Sequence, residues 1–283
     1  MNNNIFPCYW FNQNGAEAAE FYTSVFRNSK ITVDTPMVIN IEIEGQKLMF
    51  LNAGPMFQPN LTLSLMMMCD SKDEAESYYQ KLSESGKVMM PLDSYPWSEC
   101  YAWVEDQYGI SWQIYYTKEQ YQQKFSPVMM FTGENNGKCK EALDYYTSIF
   151  PDSKIEGVME YQEGQGDTAG NVAHSQFIIN GYVMMAMDSS HDHKAQFTEG
   201  TSMTIMTKNQ EETDYYWNEF TKEGQESMCG WLKDKYGFSW QIVPHRLIEL
   251  TNTHEVEKAQ KAFGAMMTMK KIIIKDIEDA YNS

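Results

Sequence analysis

Phe21-Tyr-Thr-Ser-Val-Phe-Arg-Asn-Ser-Lys-Ile31 returns as Tyr145-Tyr-Thr-Ser-Ile-Phe-Pro-Asp-Ser-Lys-Ile155, identical at seven of eleven positions after an offset of 124 residues. A repeat at that distance sets the architecture before any local propensity is weighed. Working outward, Glu17-Ala18 matches Glu141-Ala142, and Asp106-Gln-Tyr-Gly-Ile-Ser-Trp-Gln-Ile114 matches Asp234-Lys-Tyr-Gly-Phe-Ser-Trp-Gln-Ile242 at seven of nine positions, offset by 128. Trp103 and Trp231 share that second register, and Tyr78-Tyr79 pairs with Tyr215-Tyr216. The shifting offset means two homologous domains with different loops, placed at 1–125 and 126–247, followed by an extension over 248–283.

Inside the first copy the hydrophobic period changes along the chain. Residues 5–11 read as a strand, and 16–26 place Ala18, Ala19, Tyr22, Val25 and Phe26 on one helical face. Residues 37–44 alternate, with Ile39, Ile41 and Ile43 on one side, and turn at Glu44-Gly-Gln into 47–52. The pattern restarts with a strand at 61–69, a helix at 72–83, and strands at 102–104 and 110–116. Each domain therefore reads as two βαβββ modules. The second copy follows suit: a strand at 128–131, a helix at 138–150, hairpin strands near 155–161 and 172–188, a strand at 202–207, a helix at 211–222 and a last strand at 238–243. In the extension, Val256, Ala259, Phe263 and Met267 have helical spacing, and Ile274, Ile277 and Tyr281 suggest a second short helix, which predicts a helical strap packed across a domain.

With 22 Lys and Arg against 39 Asp and Glu in 283 residues, the net charge is −17, which phosphate backbones and anionic lipid repel. Nucleic acid and membrane surfaces are poor partners; a small-molecule ligand is the expected one, with self-association left open. No apolar run approaches the ~20 residues a bilayer demands, and the first residues lack the basic and apolar regions of a signal peptide. The five cysteines, Cys8, Cys69, Cys100, Cys139 and Cys229, are scattered and never spaced Cys-x-x-Cys, so reduced thiols and a cytoplasmic location are expected.

Residues 10–31, Met89-Met-Pro-Leu-Asp-Ser-Tyr-Pro-Trp-Ser-Glu99 and Tyr108-Gly-Ile-Ser-Trp-Gln113 resemble the PhnB-like family of the vicinal oxygen chelate (glyoxalase, bleomycin-resistance and dioxygenase) superfamily. Some members of that family carry the name 3-demethylubiquinone-9 3-methyltransferase. The resemblance covers both copies. It implies an α+β fold, a tandem repeat of vicinal oxygen chelate domains, each with two βαβββ modules forming a cupped mixed sheet around a cavity.

Metal-dependent members of the superfamily set His and Glu ligands on the strands lining the cup. This chain has no histidine before His174, and Gln113 stands where the resemblance places a ligand Glu, with Gln241 in the second copy. An amide is a weak divalent ligand, so no metal is expected in the first domain. In the second, Asp188-Ser-Ser-His191-Asp192-His193 follows a strand, with His174 on the strand before it; Asp188, His191 and His193 are the candidate ligands for a divalent ion there. Otherwise no cofactor is expected. Gly164-Gln-Gly-Asp-Thr-Ala-Gly170 lies between antiparallel strands, not between a strand and a helix, so it does not read as an S-adenosylmethionine loop.

Trp97, Trp103 and Trp112 fall within sixteen residues, with Tyr101 among them and Tyr95 two positions ahead. Trp112 and Trp240 read as core; strand alternation then turns Gln113 and Gln241 into the cup. Tyr95-Pro-Trp-Ser98, absent from the second copy, reads equally as a lid over one cavity and as a simple loop anchor. The candidate ligand-binding residues are Trp10, Tyr95, Trp97, Tyr101, Gln113 and Gln241. Three functions stay open: metal-independent binding of a small organic molecule, aromatic or cationic, as the bleomycin-resistance branch implies; a metal-dependent lyase, isomerase or dioxygenase using Asp188, His191 and His193; and a domain pair kept for protein interaction. Methyl transfer is not expected.

Overall fold

The computed structural model describes residues 4–283; the first three residues, part of the N-terminal reading above, lie outside the described ones. Four βαβββ modules follow one another. The first holds β1 (Ile5–Phe11), α1 (Gly15–Val25), β2 (Ser29–Asp34), β3 (Val38–Ile43) and β4 (Gln46–Asn52). The second holds β5 (Leu63–Cys69), α2 (Lys72–Ser83), β6 (Lys87–Tyr95), β7 (Ser98–Glu105) and β8 (Ser111–Tyr116). β9 (Phe125–Thr132), α3 (Cys139–Ile149), β10 (Lys154–Glu160), β11 (Val172–Ile179) and β12 (Tyr182–Ser189) make the third. The fourth comprises β13 (Thr201–Thr207), α4 (Gln210–Thr221), β14 (Gln225–Glu226), β15 (Trp231–Lys233) and β16 (Ser239–Pro244).

The helices begin where side chains can take up their orphan amides. Ser71 accepts from the Glu74 amide while the Glu74 carboxylate accepts from the Asp70 amide, and Asn209 and Glu212 repeat this exchange with Lys208 at the start of α4. Glycine is required at the turn that leaves each of these helices. A Cβ on Gly86 would lie 2.3 Å from the Glu105 carbonyl oxygen, and one on Gly224 would lie 2.1 Å from that of Lys233.

The chain divides into two compact units, one built on residues 7–196 and one on 4–6 with 197–283. In the first, β1, β4, β3 and β2 lie side by side in that order, and an eight-stranded mixed sheet runs β10-β11-β12-β9-β5-β8-β7-β6. That second sheet holds a finding the periodicities do not contain: its halves are the second and third modules, so the sheet crosses the boundary between the sequence repeats. The seam is β5 against β9, antiparallel, with Leu63 opposite Met129 and Met67 opposite Phe125. The first and second modules instead share a core on their helical sides, where Tyr22, Phe26, Phe50, Trp112 and Phe125 pack together.

In the second unit, β14, β15, β16 and β13 are neighbours in that order. The extension forms α5 (His245–Thr251), α6 (Val256–Met266) and α7 (Ile274–Asn282). Leu247, Leu250, Ala262, Ile272 and Ile277 give these helices a small core of their own. They are tied to the fourth module as the strap reading expects: Cys229 and Gly230 donate their amides to the carbonyls of Met269 and Lys270, and Gln210 brackets Ile272 and Ile274. No helix among the described residues is long and apolar enough to cross a membrane.

Candidate functional site

The eight-stranded sheet has two differently dressed faces. Alternation along β5 sends Leu65, Met67 and Cys69 toward the helices and Met66 and Met68 the other way. The face turned from the helices gathers Met66, Tyr101, Val128 and Met185 as a buried floor, rimmed by half-buried Met68, Met90, Tyr95, Trp103, Tyr115 and Met187. This is the cup, and residues from both sequence repeats line it.

Its floor is wired by side-chain hydrogen bonds. Tyr101 donates its hydroxyl to Gln113 Oε1 at 2.9 Å, Gln113 Nε2 donates to Ser64 Oγ at 2.7 Å, and Trp103 Nε1 donates to Ser111 Oγ at 2.7 Å. One rim is an aromatic corner. Tyr95 and Trp97 stack with ring centroids 5.2 Å apart and 20° between planes, and Tyr101 meets both edge-on at 5.8 and 6.1 Å. Trp97 is 51% exposed. The segment read as a lid or a loop anchor is the tip of a tight hairpin in which Tyr95 pairs with Ser98; the Tyr95 hydroxyl is held by the Pro91 carbonyl and Tyr115 donates to the Trp97 carbonyl. In the fourth module the corresponding arm has shrunk to two and three residues in β14 and β15.

The opposite arm brings a residue that spacing singled out only as a neighbour. His174 is paired with Met159 on β10 and lies two positions from Gln176, which faces Met185, so its side chain shares the cup face. Neither ring nitrogen has a hydrogen-bond partner among the described residues. Burial holds its pKa below the ordinary histidine value. Tyr161, just past β10, stands close enough to Tyr101 to raise that phenol's pKa further, after burial and Tyr95.

Beyond the cup edge an open groove of about 490 Å³ is lined by Thr132, Gly133, Asn136 and residues 190–196. His193 belongs to both: it lines the groove, its ring lies 5.9 Å from Trp103, and its Nε2 is 2.8 Å from Ser189 Oγ. Burial, then the neighbouring His191, lower its pKa.

The predicted metal set is not brought together. Asp188 is buried and faces away from the histidines: Oδ1 accepts from the amides of Gly137 and Cys139 at 2.8 and 3.1 Å, and Oδ2 from Val172 at 2.9 Å. It anchors the start of α3, with three backbone amides taking both of its oxygens. His191 and His193 lie 6.1 Å apart by ring centroids, and among the described residues no three His, Cys, Asp or Glu side chains are placed to share an ion. Of the predicted ligand contacts, Tyr95, Trp97, Tyr101 and Gln113 meet in one place. Trp10 lies in the other sheet of this unit, donating to the Gly54 carbonyl at 2.7 Å and packed edge-on against Phe57. Gln241 belongs to the second unit, where Nε2 donates to Ser202 Oγ at 3.0 Å.

The arrangement of four βαβββ modules and a cupped sheet agrees with a comparison of sequence families. The family model described as 3-demethylubiquinone-9 3-methyltransferase matches twice, at residues 3–115 and 123–243. The chain belongs to this family. No curated protein matches it. Among solved structures, this PhnB-like chain is similar to a PhnB protein of Bacillus cereus that carries the same methyltransferase name, 29% identical over 39% of this chain and 96% of that one, with a TM-score of 0.35. It is also similar to maize glyoxalase I, 11% identical over 88% of this chain and 95% of that one, with a TM-score of 0.56. The latter likeness shows the two-domain vicinal oxygen chelate fold.

For a PhnB-like chain the superfamily's metal can be tested against the donors present. Gln113 and Gln241 stand where the resemblance implies a ligand Glu, and each spends its amide nitrogen on a serine. Neutral amides tied to hydroxyls do not supply the anionic donors a divalent ion needs, so these residues do not fit that group. The glycine-rich segment joins β10 to β11, two antiparallel strands, with Gly164, Gly166 and Gly170 at positive φ, and no helix opens from it.

Proposed function

We propose that this PhnB-like chain binds a small organic molecule in the cup shared by its second and third modules, without requiring a metal ion. The observation that carries this reading is the aromatic corner. Trp97 lies stacked on Tyr95 with half its surface open to solvent, beside a floor whose polar atoms are already satisfied by one another. A large aromatic ring is kept at a rim at a cost in hydration, and a second ring laid on it recovers that cost. The methionines around the floor, Met66, Met68, Met90, Met185 and Met187, provide flexible walls that can adjust to a guest.

The methyltransferase name finds no support in the glycine loop, and no methyl transfer is proposed. The test is a thermal-shift and tryptophan-fluorescence screen of flat aromatic and quaternary ammonium compounds on the full chain, repeated with Trp97→Ala and with chelator present. Binding that survives chelator and is lost in Trp97→Ala supports the reading. Turnover abolished by chelator would overturn it in favour of a metal enzyme.

A further inference from the structure

Resting on the cup reading above, we infer that His174 is the polar anchor of the site and that the ligand class is a planar aromatic molecule carrying a hydroxyl that donates a hydrogen bond to it.

Most polar atoms of the cup are already spent on partners of their own. Gln113 accepts from Tyr101 and donates to Ser64; Trp103 donates to Ser111; Tyr95 and Tyr115 donate to backbone carbonyls. Gln176, on the same arm as His174, gives its amide to Glu156, which also pairs with Lys154 and Gln122. His193 is engaged with Ser189. His174 faces the cup between Met159 and the strand that carries Met187, and neither of its ring nitrogens has a partner among the described residues. A neutral imidazole offers one N–H and one strong acceptor nitrogen, and a half-buried apolar setting favours that neutral form. Groups set apart in this way beside a satisfied floor select for a partner with a hydroxyl, because a guest without one leaves the imidazole dry and unpaired.

Shape comes from the facing arm. Trp97 and Tyr95 are stacked at one end of the sheet and the β10–β11 arm forms the other, so a flat guest lying on Trp97 and reaching His174 would span the floor between them. Tyr161, whose hydroxyl likewise has no partner among the described residues, stands near Tyr101 from that arm and bounds the space.

The experiment uses isothermal titration of the full chain with 2-naphthol and with 2-methoxynaphthalene, which differ in the hydroxyl hydrogen. Wild type should bind 2-naphthol about fivefold to tenfold more tightly than the ether, the worth of one net hydrogen bond. His174→Leu should equalise the two probes, His174→Gln should keep part of the preference, and Trp97→Ala should weaken both while retaining it. Far-UV circular dichroism checks that each variant is folded, and His174→Gln serves if His174→Leu is not. An unchanged preference in the histidine variants, or equal affinities in wild type, overturns the role of His174 and leaves the cup standing. Absence of binding by either probe overturns both.

Discussion

Tyr101 and Gln113, on adjacent strands of one sheet, are joined by a buried hydrogen bond of 2.9 Å from the phenol to the amide oxygen. The bond leaves the amide nitrogen only one direction, toward Ser64. Tyr101→Phe therefore strands a buried acceptor. It should lower unfolding stability by about 1–3 kcal/mol, and Tyr101→Phe combined with Gln113→Met should cost less than the two single changes summed. Urea unfolding of the four proteins measures the coupling.

Asp106 accepts from the Tyr22 hydroxyl, Trp112 Nε1 and the amides of Tyr108 and Ile110, all between 2.7 and 3.1 Å. Asp106→Ala deprives four donors at once, each worth about 1–3 kcal/mol when buried and unpaired. A loss on the order of 4 kcal/mol or more is expected from chemical denaturation. Asp234 repeats the arrangement with Trp240, Tyr236 and Phe238, so Asp234→Ala should weaken the second unit in the same manner.

Asp188→Ala should destabilise by about 2–4 kcal/mol, since it uncovers the amides of Gly137, Cys139 and Val172 at the start of α3 and β11. Its affinity for added zinc or manganese should equal that of wild type. A selective loss of metal affinity without loss of stability would restore Asp188 as a ligand.

The cup histidines predict a pH dependence. His174 and His193 both have pKa values lowered by burial, so the unfolded chain binds their protons more readily than the folded one. Their contribution is complete above the unfolded value of about 6.5 and is lost as the pH falls toward the folded values. Asp106, raised to about 6 by burial, acts with the opposite sign: its contribution falls as pH rises from its unfolded value to about 6. The clean measurement is a difference. His174→Leu should gain in melting temperature relative to wild type as pH is lowered from 7 to 5.

Much of this was legible because it rests on local periodicity. α2 spans residues 72–83 as its pattern predicts, bounded by the Ser71 and Glu74 exchange. Trp112 and Trp240 are fully buried while Gln113 and Gln241 face the other way, as alternation requires. What escaped reading depends on contacts made through space. Pro91 interrupts the strand pattern of β6, yet β6 is an edge strand, where proline is tolerated. Asp188 beside His-x-His looks like a ligand in one dimension; only the fold shows three amides taking its oxygens. Likewise, His174 becomes distinctive only once Gln113, Tyr101, Trp103, Tyr95 and Tyr115 are seen to be spent on partners of their own.

The seam between β5 and β9 has a consequence for how the chain can be divided. The gene-length period ends near residue 124, but the sheet is continuous there, so the two periodicities are out of phase. A polypeptide ending at that point would keep its helical core while baring the long edge of β5, and the complementary fragment would bare β9. Each half carries the other's missing neighbour. Co-produced halves should reassociate through that edge, and a single half should be driven to pair with a second copy of itself.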